Sequence, residues 1–161
     1  MPEKATLTQE ELEIEASKVV GQIVFALSRM EFNLGLCLRN LVGGQDVEAV
    51  NPLIARLSFK AKLDALLDVV KHKFSTEAEC IGELKAWHAK MDEVRISRNS
   101  FVHGRWGTLA AAQEVVNVSP GLPNAAPQKE TRYSLDDLAE ELEEIKQVVD
   151  RFYNWRSRWR V

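Results

Sequence analysis

The chain has 161 residues, 45% of them hydrophobic and 28% charged, with a net charge of −3. This length supports one domain with a real core, and this composition excludes a largely disordered chain. The slight negative charge excludes a strong, sequence-blind affinity for nucleic acid, so any RNA contact has to be local.

The N-terminal stretch "MPEKATLTQEELEIE" is acidic and lacks an apolar run, so neither a signal peptide nor a transit peptide is expected. The most apolar window, "VVGQIVFAL", is too short to span a membrane and contains Gln22. Cys37 and Cys80 are far apart and lie inside helical patterns, which suits reduced core thiols of a cytoplasmic protein.

Thr8 with Glu11 makes a capping-box signature, and from there an apolar helical pattern runs over 8–41 until Gly43 and Gly44 stop it. That length allows a kink near Gly21. Residues 45–57 form a connection around Pro52 with room for a short helix. Ser58 caps a second helix over 58–74, with Phe59, Leu63, Leu66, Leu67 and Val70 on one side. Thr76 and Glu79 make another capping box, opening a third helix over 76–103. Residues 107–133 differ in character: Gly107, Pro120, Gly121, Pro123 and Pro127 break any helix, and "EVVNVS" is strand-like. A long loop or a small β-hairpin is expected there. Ser134 and Asp137 open the last helix, 134–158, whose seam is Leu135, Leu138, Leu142, Ile145, Val149 and Phe152. The expected fold is all-α: a single-domain antiparallel bundle of four to five helices.

Two charges interrupt apolar seams. In the third helix the seam Leu84, Trp87, Met91, Val94 and Phe101 places Arg98 where an apolar residue is due. In the first helix Glu31 fills a gap in the seam Leu27, Leu34, Leu38 and Leu41. Buried charges are normally paired, so Glu31 and Arg98 are expected to face each other. Such a pair either fixes helix register or holds a functional arginine in one orientation.

Asn99 and His103, four apart, share a helix face with Arg95 and Asp92 further back. Arg98 and His103 are five apart, roughly 140° around the helix. Taken singly, each residue has a structural explanation. A histidine suits a helix C-terminus, Gly104 is a usual stop, and an arginine satisfies a carboxylate. Their conjunction points further.

Arg98-Asn99-x-x-x-His103 resembles the R-x4-6-H signature of the HEPN superfamily, small helical-bundle domains that commonly carry a polar residue such as Asn after the arginine. The match also fits in position, closing the third of four main helices before a long connection. The resemblance implies a metal-independent ribonuclease of the kind found among toxins of toxin–antitoxin pairs and in stress or defence. It implies Arg98 and His103 as catalytic residues, and a homodimer with both motifs in one cleft. On that reading His103 is general acid or base, Arg98 binds the scissile phosphate, and Asn99 orients the histidine or a phosphate oxygen. Glu31 and Arg95 support the site. A toxin subgroup continues R-x4-H-x-Tyr, with the tyrosine modified by a nucleotidyltransferase antitoxin. Arg105 stands at that position here, which departs from that mode of regulation. Arg105 and Trp106 are instead candidates for contacting RNA by charge and stacking, though Trp106 equally suits a core.

The tail "RFYNWRSRWRV" mixes arginines with tryptophans; packed tryptophans with arginines reaching back to solvent are the favoured reading over an RNA-binding tail. His72 and His88 have no Cys or His partner at metal-ligand spacing, so neither metal nor cofactor is expected. Leucines surround Cys37, a poor setting for a nucleophile. The alternative to the nuclease is a non-catalytic HEPN-like module, in which Arg98 and His103 are structural or hold a nucleotide phosphate.

Overall fold

Thr8 opens the first helix with reciprocal bonds: its backbone N–H and its hydroxyl both donate to Glu11 Oε2, at 2.8 and 2.9 Å, while its hydroxyl oxygen accepts from the Glu11 N–H at 3.3 Å. The computed structural model describes residues 6–122 and 127–161. Residues 1–5 of the acidic N-terminal stretch, and Pro123 of the expected loop, lie outside the described residues. Five α-helices are described: α1 (Gln9–Val42), α2 (Asn51–Ile54), α3 (Phe59–Lys73), α4 (Ala78–His103) and α5 (Leu135–Trp159). A three-stranded antiparallel sheet precedes α5, with strands β1 (Arg105–Leu109), β2 (Glu114–Val118) and β3 (Glu130–Tyr133) in the order β1-β2-β3. The chain is therefore mostly α but not all-α, and the expected loop or hairpin is a sheet. No helix among the described residues is long and apolar enough to cross a membrane.

The chain divides into two compact units, Met1–Phe25 with Ser97–Glu144, and Ala26–Ile96 with Ile145–Val161. In the first unit Leu12, Ala16 and Ile23 of α1, Phe101 of α4, and Leu138 and Leu142 of α5 are buried. Strand alternation puts Trp106 and Thr108, Val115 and Asn117, and Thr131 and Tyr133 on one face of the sheet, paired across the strands as Trp106↔Asn117↔Thr131 and Thr108↔Val115↔Tyr133. Phe101, Trp106 and Tyr133 form an aromatic cluster, with ring centroids 5.6 to 5.9 Å apart. The turn between β1 and β2 ends at Gln113, in the left-handed region at φ 54°. Its side chain offsets that strain by accepting from Leu7 N–H at 2.8 Å and donating to the Leu7 and Ala110 carbonyls.

In the second unit the core combines Leu27, Met30, Leu34 and Cys37 of α1 with Leu63 and Leu66 of α3, Leu84, Trp87 and Met91 of α4, and Phe152 of α5. Trp87 packs on Phe152 in a tilted pair with ring centroids 4.8 Å apart and donates its indole N–H to the Val148 carbonyl at 2.8 Å. Ser58 caps α3 by accepting from Ala61 N–H. Ser134 and Asp137 cap α5 in the same reciprocal way as Thr8 and Glu11.

Four local expectations are corrected. The first helix runs unbroken through Gly21. Glu79 is not turned back on Thr76: its carboxylate accepts from Arg158 at 2.6 Å, and α4 starts at Ala78. The α5 seam passes through Val148 rather than Val149. In α1 the buried stripe passes through Met30, which leaves Glu31 on its flank, where its carboxylate accepts from Lys62 Nζ at 3.2 Å. The expected Glu31–Arg98 pair is thus replaced by Glu31–Lys62. An i, i+3 or i+4 step from Leu27 reaches Met30 or Glu31, and with apolar residues nearly all round α1 the pattern did not choose between them.

Candidate functional site

The last two turns of α4 carry the motif, and the side chains divide by exposure as the helical angle requires. Arg98 continues the buried stripe from Val94 and is half-buried, with its Nε fully shielded from solvent and without a hydrogen-bond partner. Asn99 and His103 lie on the exposed side. Among the described residues, no hydrogen bond or ion pair engages the Arg98, Asn99 or His103 side chains. A cation, an amide and an imidazole are thus held at one helix end with their bonding capacity uncommitted.

What fixes that helix end was not visible in the motif. The Ser100 carbonyl accepts both the Gly104 N–H at 2.8 Å and the Asn117 side-chain amide at 3.0 Å. Asn117 is 4% exposed, the only polar side chain found buried among the described residues. It ties β2 to the last turn of α4 and satisfies a carbonyl that a helix C-terminus leaves open. A Cβ on Gly104 would meet the Ser100 oxygen at 2.4 Å and the Asn117 amide at 2.6 Å. Gly104 is therefore required by close approach, not by a left-handed φ as its place after the helix suggested. The signal available in sequence was a single Asn among valines in "EVVNVS", on the face that alternation turns inward.

The neighbouring candidates are already engaged. Arg105 is exposed and donates from Nη2 to Gln128 Oε1 at 2.5 Å. Trp106 donates its indole N–H to the Phe101 carbonyl at 2.9 Å and its ring packs against Phe101 and Tyr133, so it belongs to the aromatic cluster of the first unit. Arg95 donates to Asp92 at 2.7 Å. Asp92 also meets Lys60, and Lys60 meets Asp64, which accepts from His88 Nε2 at 2.8 Å. Arg95 is thus the end of a charge network joining α3 and α4 in the second unit.

The chain matches no protein-family model, no curated protein and no solved structure.

The remaining nucleophiles and ligands are poorly placed for chemistry. Burial pushes the Cys37 thiol up to about 11, with Arg156 pulling weakly the other way. The Cys80 thiol is raised as well, chiefly by burial. No group of three or more His, Cys, Asp or Glu side chains among the described residues is arranged to hold a metal ion. The C-terminal tail is tied down. Trp155 is buried and donates to the Cys80 carbonyl at 3.1 Å, Arg158 engages both Glu79 and Glu83, and Trp159 donates to Glu83 at 2.9 Å.

Proposed function

We propose that the chain is a metal-independent endoribonuclease of HEPN type: a helical-bundle protein that cleaves RNA through the substrate's own 2′-OH at a site composed by two copies. The observation that carries this reading is the uncommitted trio at the end of α4, Arg98, Asn99 and His103. A stability-driven sequence would place a leucine at position 98, since a shielded guanidinium N–H without a partner is costly.

The chemistry needs a base for the 2′-hydroxyl, an acid for the leaving 5′-oxygen and a cation for the charge that builds on phosphorus. His103 takes the proton as base or returns it as acid. Arg98 neutralises the phosphate, and Asn99 orients the imidazole or a phosphate oxygen. One chain supplies one such imidazole, whereas a two-fold dimer supplies two beside two arginines. A toxin, stress or defence factor working in the cytoplasm, restrained by a partner protein, is the setting that fits such an activity.

The test is cleavage of a mixed RNA pool in EDTA by the wild type, His103→Ala and Arg98→Ala, each checked for folding and for self-association by sedimentation. Cleavage by the wild type alone is expected. A dimeric wild type that leaves the pool intact overturns the nuclease. It favours the non-catalytic module, which the net charge of −3 and the internal engagement of Arg105 and Trp106 also suit.

A further inference from the structure

The first unit contains an open groove of about 570 Å³ between the N-terminal half of α1 and the sheet. Its helix wall is one stripe that runs from Glu13 through Ser17 to Gly21, and its other wall is Trp106, Gly107 and Thr108 of β1. The volume lies within the roughly 300–1,000 Å³ of sites that hold small organic ligands.

Two features distinguish this groove from an ordinary packing gap. The first is what keeps it open. Nothing lies within 4 Å of where a Cβ would stand on Gly21 or on Gly107. Neither glycine has a positive φ. Gly21 sits in the interior of a 34-residue helix, where glycine is among the least favourable residues and alanine the most favourable. No conformational or packing constraint seen here calls for glycine at Gly21, where a larger side chain would stand on the helix wall of the groove; Gly107 lies on the opposite strand face from Trp106 and Thr108 and meets the groove through its backbone alone. The second feature is its charge. Among the described lining residues Glu13 is the one ionised group and none is a cation, and no described residue pairs with the Glu13 carboxylate. The rest of the wall offers small apolar side chains, the Trp106 ring, the Gln9 amide and the hydroxyls of Thr108 and Ser17, the latter donating to the Ile14 carbonyl. An anionic ligand is disfavoured, and a ligand with a cationic end is matched.

We propose that this groove binds a small, flat, apolar amine, its ammonium group on Glu13 and its ring system between Gly21 of α1 and the Trp106 side of β1. Glu13 and Gly21 are eight residues apart on α1, about 12 Å along the helix axis, which sets the length of the occupant. The site is distinct from the Arg98–His103 trio and does not depend on the nuclease reading.

The test is titration of the isotopically labelled full chain with naphthylmethylamine, followed by amide NMR, with naphthoate and naphthylmethanol as matched probes lacking the cation. Saturable shifts at the Gly21 and Gly107 amides and the Trp106 indole are expected for the amine, with affinity at least about tenfold weaker for both matched probes. Glu13→Gln should weaken the amine by about the same factor, and Gly21→Met should abolish binding while the remaining amide spectrum is kept. His103→Ala should bind like the wild type, which separates this result from any outcome for RNA cleavage. Equal binding of naphthoate overturns the proposal, as does unchanged affinity in Glu13→Gln. So does the absence of saturable shifts at the two glycines up to millimolar amine.

Discussion

Replacing Gly104 by alanine tests the account of how the motif helix is terminated. The new methyl carbon would stand 2.4 Å from the Ser100 oxygen and 2.6 Å from both the nitrogen and the oxygen of the Asn117 amide. None of the three is the free end of a long side chain: one is backbone, and the other two belong to a short, buried amide. Relief requires the last turn of α4 to open or Asn117 to swing away. Losing the Asn117–Ser100 bond leaves a buried amide unpaired, at about 1–3 kcal/mol, and loosening the Gly104–Ser100 backbone bond adds about 1 kcal/mol. Against this, alanine restricts the unfolded chain and returns about 0.4–1 kcal/mol. The net expectation is a loss of about 1.5–3 kcal/mol, read as a lower urea midpoint at an unchanged slope.

Gly21→Ala supplies the contrast. There a Cβ meets nothing within 4 Å, so the same substitution should raise stability by about 0.5–1 kcal/mol through helix propensity alone. Opposite signs at the two glycines, in one urea series, are the expected result. If Gly104→Ala stays within about 0.5 kcal/mol of the wild type, near the usual scatter of surface substitutions, the close approach is not what selects glycine there. Combining Gly104→Ala with Asn117→Ala should cost less than the sum of the single changes, because the methyl then occupies space the amide has vacated.

The other predictions are briefer. Arg98→Leu should raise stability by about 1 kcal/mol, since it removes a shielded, unpartnered N–H from an otherwise apolar stripe, and it should abolish RNA cleavage; urea unfolding and the EDTA assay read the two effects separately. The Asp64 carboxyl is held below its ordinary range chiefly by Lys60, with His88 adding to the effect, and the Asp92 carboxyl chiefly by Arg95. Depressed carboxylates add stability that is present above their unfolded pKa and disappears as the pH falls through the folded value. Asp64→Asn with Asp92→Asn should therefore flatten the acid limb of the stability curve below about pH 4, by a small amount because the pair is partly exposed. At about pH 8 only about one Cys37 thiol in a thousand is ionised in the folded protein, so its labelling by a disulfide reagent should follow the unfolding rate and accelerate with urea.

The parts of the fold that were legible in the sequence are those set by short-range geometry. Thr8 with Glu11, Ser58, and Ser134 with Asp137 all cap the helices they announce, because a capping bond spans only three residues. The seam of α4 from Leu84 to Phe101 is buried as its spacing requires. The Thr76–Glu79 capping box failed because a distant residue, Arg158, competes for the Glu79 carboxylate. The Glu31–Arg98 pairing failed for a related reason. Choosing Glu31's partner needed the rotation of α1 about its axis, which a helix that is apolar on several sides does not reveal. The sheet was only half legible because β3 has four residues and Gly107 weakens the β1 pattern.

The candidate site follows the same division. A helix projects a six-residue spacing into space with little freedom, so the separation of Arg98 from Asn99 and His103 by exposure could be anticipated from their positions alone. The device that holds the helix end cannot be read that way. Asn117 is 17 residues from the carbonyl it binds, and the need for glycine at position 104 exists only because that amide is there. The motif therefore names the chemically capable side chains, while a residue outside it fixes the turn that presents them. His103 is the last residue of α4, directly before the glycine that Asn117 makes obligatory. Its backbone position relative to the sheet is thus set by the Asn117–Ser100 hydrogen bond rather than by a fraying helix end. The bond fixes the backbone at the end of α4, while the His103 imidazole itself stays exposed and without a hydrogen bond among the described residues.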